Sequence, residues 1–256
     1  MKTYFCLLIA SLIFILACEK NEMIDSLDSS SKLLVAIKEN GKLITEFKYD
    51  DLNRLIQLNN YHSDTISYSE IYQYDSDNKL IKRTFGGFIE TYEYFSDSSL
   101  KTTIKYYNAT DKEWKIEYQY NEDKISKGIT FFNGSESGYI DYKYDSNGNT
   151  IERTGYSNWS EQKDFIDKQY KLTYDNKINP IKNLSVYPID IVQNNNPTYF
   201  YHYMAIMSMY PPEYYSTYDY DTTGLPIKEY RVPTREYHAS QTFDYEYINK
   251  KKTNER

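Results

Sequence analysis

The strongest constraint on this chain is a short phrase that keeps returning: an aromatic residue, any residue, Tyr, Asp, a turn, then aliphatic residues. It is plainest as Tyr72-Gln73-Tyr74-Asp75, followed by Ser76-Asp77-Asn78-Lys79 and Leu80-Ile81. It returns as Tyr142-Lys143-Tyr144-Asp145, then Ser146-Asn147-Gly148-Asn149 and Thr150-Ile151. Aligned on the second aromatic, the anchors are Tyr49, Tyr74, Tyr94, Tyr120, Tyr144, Tyr174, Tyr220 and Tyr247. Two positions before them stand Phe47, Tyr72, Tyr92, Tyr118, Tyr142, Leu172, Tyr218 and Tyr245. Residues two apart share a face only on a strand, so each pair predicts one side of a sheet.

The rest of the phrase is turn chemistry. Asp50, Asp75, Asp145, Asp175 and Asp221 follow their anchors directly, where a carboxylate can accept backbone N–H groups of the turn. Asn53, Asn78, Gly148 and Gly224 come four after the anchor and tolerate positive φ. Ile56, Ile81, Ile151, Ile181 and Ile227 come seven after it, where the returning strand is expected to set them opposite the tyrosine. Intervals between anchors range from 20 residues (Tyr74 to Tyr94) to 46 (Tyr174 to Tyr220), too irregular for a solenoid. They suit hairpins of varying length. Asn40-Gly41 between the alternating runs Leu33–Ile37 and Leu43–Phe47 is a further hairpin signal. The 31 tyrosines fit a half-buried pleated surface, with the ring packed and the hydroxyl in water.

The expected fold is therefore all-β: an antiparallel meander of roughly 12–16 strands whose twist curls it into an open or partly closed barrel-like wrap. One domain covers residues 33–250. The insertion at residues 183–216 breaks the rhythm with four prolines and the mostly apolar run Tyr199 to Tyr210. It reads as a short helix over one end of the sheet or a long loop with one embedded strand. Residues 251–256 form a polar tail expected to be disordered.

Residues 1–17 are expected to be a targeting segment, with Lys2 ahead of the apolar run Tyr4 to Leu16. Ile15-Leu16-Ala17-Cys18 resembles a bacterial lipobox. That resemblance implies a lipid on Cys18, a flexible tether over residues 18–32, and an outer-membrane location on the periplasmic face or the cell surface. It would also remove Cys6 and leave no free thiol for catalysis or zinc.

Tyr49-Asp50, Tyr74-Asp75, Tyr144-Asp145 and Tyr220-Asp221, each with Asn or Gly three residues on, resemble the YD repeats of RHS-type shell proteins. The copies are degenerate and cover roughly residues 43–248. With the lipobox, and with Tyr174-Asp175-Asn176-Lys177-Ile178-Asn179-Pro180, the chain is similar to a group of Bacteroidetes-type lipoproteins carrying loose YD-like hairpins. RHS shells enclose cargo with far more repeats than this, so the resemblance implies a fold and a location, not an activity.

Chemistry is sparsely marked. The net charge of -7 argues against a nucleic-acid partner. His62, His202 and His238 have no short-spaced partners, and His202 reads as part of an aromatic cluster. The Asp-rich turns lack the twelfth-position Glu of a calcium loop: Gly86 and Tyr156 stand there. No nucleophile elbow or phosphate loop is present. No metal, cofactor or catalytic residue is expected. Trp114 and Trp159 lie among polar residues, and Tyr201 and Tyr203 in the insertion. These four are the candidate ligand contacts, though each Trp reads more readily as a cap on the hydrophobic edge of the sheet. The expected function is a non-enzymatic binding or interaction protein with a glycan or an envelope protein as partner. The alternatives are a purely structural envelope component and a polysaccharide hydrolase.

Overall fold

The computed structural model describes residues 31–107, 110–158, 165–181, 191–205, 212–235 and 239–251. Cys18, the tether before residue 31 and Trp159 lie outside them. Sixteen strands follow in order: β1 Lys32–Glu39, β2 Lys42–Tyr49, β3 Leu55–His62, β4 Thr65–Tyr74, β5 Leu80–Phe85, β6 Phe88–Tyr94, β7 Leu100–Tyr107 and β8 Glu113–Asn121. Then come β9 Lys124–Phe132, β10 Ser135–Tyr144, β11 Thr150–Ser157, β12 Phe165–Ile178, β13 Asn195–Met204, β14 Glu213–Tyr220, β15 Pro226–Pro233 and β16 Gln241–Asn249. Each strand pairs with its sequence neighbours, and β1 pairs antiparallel with β16, so the meander is a closed barrel.

Full closure corrects the expected open or partly closed wrap. An open sheet would leave β1 and β16 with rows of unpaired backbone groups, and closure removes both edges. The seam is tied at one end: Lys32 Nζ lies 2.8 Å from Asp221, Lys250 N donates to Ser31 O at 2.7 Å, and Lys251 N to the Asn53 side chain at 2.9 Å. The insertion also differs. Among the described residues it contains no α-helix; β13 is its embedded strand, and β14 starts within it at Glu213.

The two ends of the wall use different turns. At one end, Asn40–Gly41, Ser63–Asp64, Gly86–Gly87 and Asn133–Gly134 are two-residue loops with both φ values positive, from 47° to 81°. That is the type I′ geometry matching the twist of the flanking strands. At the other end stand the Tyr-Asp turns. Asp50 N donates to Arg54 O at 3.0 Å, while the Asp50 carboxylate accepts Leu52 N and Arg54 N at 3.0 and 2.9 Å. Asp75, Asp145 and Asp221 repeat the arrangement. Asn53, Asn78, Gly148 and Gly224 have φ of 61°, 64°, 79° and 81°, as expected of their positions.

The aliphatic position of the phrase behaves otherwise. A register shift beside the anchor inserts one extra residue, so Leu55 faces Tyr49 and Leu80 faces Tyr74. In the Tyr49, Tyr74, Tyr144 and Tyr220 copies the sixth residue after the tyrosine is thus its partner and is buried, while Ile56, Ile81 and Ile227 turn outward and are exposed. Ile181 alone of the expected isoleucines among the described residues packs against the core. The tyrosine hydroxyls also depart from expectation. They do not face water; they donate to main-chain carbonyls at the start of a preceding strand. Tyr49 bonds Leu34 O at 2.6 Å, and Tyr74, Tyr94 and Tyr120 bond Leu55, Leu80 and Leu100 O, each at 2.8 Å. Tyr144, Tyr174 and Tyr247 bond Ile125, Thr150 and Pro226 O at 3.0, 2.7 and 2.7 Å. Tyr220 donates to Asp175 instead, and Tyr218 takes the carbonyl role on Pro197 O at 2.8 Å.

The core lies inside the barrel. Phe47, Leu58, Tyr72, Tyr92, Tyr118, Ile140, Tyr142 and Leu172 form the tier beyond the anchors, and all are buried. Tyr72, Tyr92, Tyr118 and Tyr142 are 3 to 8% exposed, so no water-filled channel runs past them. His202 points into this interior from β13 and stacks on Tyr170, with ring centroids 4.2 Å apart and planes 6° from parallel. It is the aromatic-cluster residue its sequence context suggests. Burial, reinforced by Lys168 and Arg153, lowers its pKa to about 4.

Two measurements test this account. Tyr74→Phe, Tyr94→Phe and Tyr120→Phe are each expected to lose about 0.5–1.5 kcal/mol in urea unfolding, since each removes one hydroxyl–carbonyl bond and keeps the ring. Unchanged midpoints in all three would remove the hydroxyls from the stability of the wall. His202 is neutral when folded but titrates near its ordinary pKa of 6.5 when unfolded. Its contribution is therefore complete above about pH 6.5 and lost as pH falls towards about 4. His202→Phe should lose less stability than the parent between about pH 7 and about pH 4.5; equal losses would contradict this.

Candidate functional site

The period-two rule that buries the anchors continues along each strand. Trp114 lies six residues before Tyr120, and Phe88 six before Tyr94, so both share the inward face of their anchors. At the end of the wall carrying the type I′ turns they meet Phe85, Tyr107 and Phe132. Phe88 is the hub: its ring centroid is 5.7 Å from Phe85, 5.0 Å from Tyr107 and 6.5 Å from Trp114. Trp114 lies 5.4 Å from Phe132. Gly87, at φ 81°, allows this approach. A Cβ there would meet the Tyr107 ring at 3.2 Å.

Trp114 and Tyr107 are each 37% exposed, although both point inward. They form a rim of partly wet rings above the buried tiers. Beneath the rim is a layer of charge. Arg83 and Glu70 are buried, with Arg83 Nε 3.1 Å from Glu70 but off the line of a hydrogen bond. Arg83 Nη1 is 3.7 Å from Glu90. Tyr72 donates to Glu70 at 2.7 Å and Tyr92 to Glu90 at 2.6 Å. Burial works against the Arg83 charge, but Glu70 and Glu90 outweigh it and hold its pKa above the ordinary value. Across the barrel Glu229 pairs with Arg231 at 2.9 Å and accepts Tyr245 and Ser216, each at 2.6 Å. Among the described residues no group of His, Cys, Asp and Glu is arranged to hold a metal ion.

The four residues singled out in the sequence are not brought together. Trp114 is on the rim and faces inward, beside other rings. Tyr201 and Tyr203 lie on the outer face of β13, opposite Lys171 and Gln169, with the wall between them and Trp114. Lys171 Nζ sits 5.9 Å from the centre of the Tyr201 ring. Trp159 is outside the described residues. Phe88, Tyr107, Phe132 and Lys105 went unrecognised. Counting in twos back from each anchor would have found Phe88 and Trp114, and the aromatics flanking Gly86-Gly87 and Asn133-Gly134 were the remaining signal.

The outer face is mostly polar, with ion pairs laid across neighbouring strands. Lys127 pairs with Asp141 at 3.7 Å, Lys143 with Glu152 at 3.2 Å, Lys228 with Asp244 at 3.4 Å, and Lys38 with Glu246. Exposed Ile71, Tyr215, Tyr230 and Val232 lie among these pairs, so the outer face mixes ion pairs with single apolar side chains.

No protein-family model matches the chain, and no curated protein matches it. Solved structures do. A porin-like protein from Bacteroides uniformis superposes with a TM-score of 0.53 at 16% identity, covering 85% of this chain and 96% of that one. A porin-like protein from Bacteroides vulgatus gives a TM-score of 0.35 at 9% identity, over 84% of this chain and 98% of that one. The TcdB2-TccC3 structure gives 0.23 at 14% identity, over 82% of this chain and 12% of that one. The first likeness carries the fold: this chain shares the β architecture of the Bacteroides uniformis porin-like protein.

Proposed function

We propose that the protein is a lipid-anchored, non-catalytic binding protein of the bacterial envelope that holds a sugar on the rim formed by Phe88, Tyr107, Trp114 and Phe132. The observation that carries this reading is the partial exposure of Trp114 and Tyr107 on a face that is otherwise buried. Flat rings kept wet above a filled core offer a stacking surface for the C–H faces of a sugar, with polar groups close by for its hydroxyls. The interior carboxylates Glu70, Glu90 and Glu229 are already tied to arginine, tyrosine or serine. That favours binding over a hydrolase, which needs two carboxylates free to act on substrate.

An envelope location fits both the lipobox-like Ile15-Leu16-Ala17-Cys18 and the porin-like neighbour. The manner of attachment differs from that of a membrane-crossing barrel. Such a barrel turns an apolar band about 25 Å tall towards lipid, where each lysine near the midplane costs about 2–4 kcal/mol. Lys38, Lys127, Lys143 and Lys228 on the outer face argue for a barrel that stands beside the bilayer, held by lipid on Cys18.

Calorimetry of the full chain in detergent against a panel of oligosaccharides tests the binding site. At least one sugar should bind, and Trp114→Ala should weaken it about tenfold, or about 1.4 kcal/mol. Tyr201→Ala, across the wall, should leave it unchanged. A flat panel would sink the reading. For the anchor, Cys18→Ser should abolish incorporation of radiolabelled palmitate and release the protein from the membrane fraction; continued labelling would place the lipid elsewhere or show none is needed.

A further inference from the structure

One cation beneath the rim, Lys105, faces rings. Lys105 points inward from β7, directly opposite Glu90 on β6 and Trp114 on β8. Its Nζ sits 4.1 Å from the centre of the Phe88 ring and 5.1 Å from that of Phe85. Among the described residues, no carboxylate lies within ion-pairing distance of it. Glu90, its natural partner, is taken by the Tyr92 hydroxyl at 2.6 Å and by Arg83 at 3.7 Å. Glu70 is likewise held by Tyr72 and Arg83. Arg231, by contrast, has Glu229 at 2.9 Å.

Two aromatic faces attract an ammonium through their ring quadrupoles, which is a partial substitute for an ion pair. Burial still works against the charge: it pulls the Lys105 pKa down, with Glu90 opposing and Arg83 reinforcing the fall. The group is left half-buried, with no ion pair among the described residues, at the floor of a ring of half-buried and partly exposed aromatics.

We infer that the rim's ligand is an acidic sugar, a hexuronate whose ring stacks on Trp114 and whose carboxylate pairs with Lys105. The inference rests on the sugar-binding reading above and specifies its chemistry. A uronate combines the two features that the rim asks for. Its ring presents a C–H face to an indole, and its carboxylate projects from the ring edge towards the neighbouring strand position, which is where Lys105 lies relative to Trp114.

The test uses the full chain in detergent with galacturonate oligomers and with galactose oligomers of equal length as the neutral arm. At low salt the uronates should bind at least about tenfold more tightly, and the advantage should shrink as ionic strength rises. Lys105→Met should remove the preference while neutral binding persists, and Lys105→Arg should retain it. Urea midpoints of both variants report whether the barrel is intact. Equal binding of acidic and neutral oligomers by the parent protein would overturn the acidic-sugar assignment and leave the rim as a neutral-sugar site. An undiminished preference in Lys105→Met, or its loss in Lys105→Arg, would remove Lys105 as the residue that reads the charge. Binding of neither series would overturn the rim itself.

Discussion

The barrel depends on one repeated bond, from a tyrosine hydroxyl to a main-chain carbonyl near the start of a preceding strand. Seven of the eight anchors make it, as does Tyr218 where Tyr220 does not. The register shift beside each anchor leaves a ladder irregularity at the same level. A carbonyl there, facing an apolar interior, would cost about 1–3 kcal/mol if left unpaired. Tyrosine satisfies it and fills the space with its ring, which phenylalanine could do only in part. The Asp of the phrase closes the turn above, and the Asn or Gly supplies its left-handed residue.

Tyrosines and leucines take most of the inside, and beneath the rim they share it with Arg83, Glu70 and Glu90. A membrane-crossing barrel turns an apolar band towards lipid and keeps polar groups towards its channel. Here the closed meander of sixteen strands shares its β architecture with a porin-like protein. The topology of a barrel by itself says little about what passes through it or surrounds it. Where the strands run past the tyrosine tiers, the interior carries Arg83, Lys105, Glu70 and Glu90, and then the rings of the rim. The strand ends are where the hairpins stop needing the phrase, and the residue types change there.

Much of the fold was legible. The period-two aromatics predicted strands and their buried face, the Asn-Gly and Asp-x-x-Asn/Gly signals predicted both kinds of turn, and irregular intervals excluded a solenoid. Ile56 and Ile81 were misassigned because a register shift changes which residue faces the anchor, and composition does not report a shift of one residue. The candidate site was legible only for Trp114. Its polar neighbours Glu113 and Lys115 marked it as a candidate, and strand parity with Tyr120 sets it on the inward face. Tyr201 and Tyr203 were grouped with it on residue type, but parity puts them on the outer face, and β13 lies five strands from β8.

The sequence by itself determined local matters: which residues form strands, which face they share, and where the chain turns. These follow from contacts within a hairpin, a few residues apart. Only the tertiary structure decided that β1 meets β16, because closure depends on the twist summed over the whole meander and on the tie between Lys32 and Asp221, 189 residues apart. It alone decided that Glu90 is claimed by Arg83 and Tyr92 and that Lys105 is left facing rings. Which charges find partners is a question of three-dimensional neighbours, and strand periodicity does not answer it.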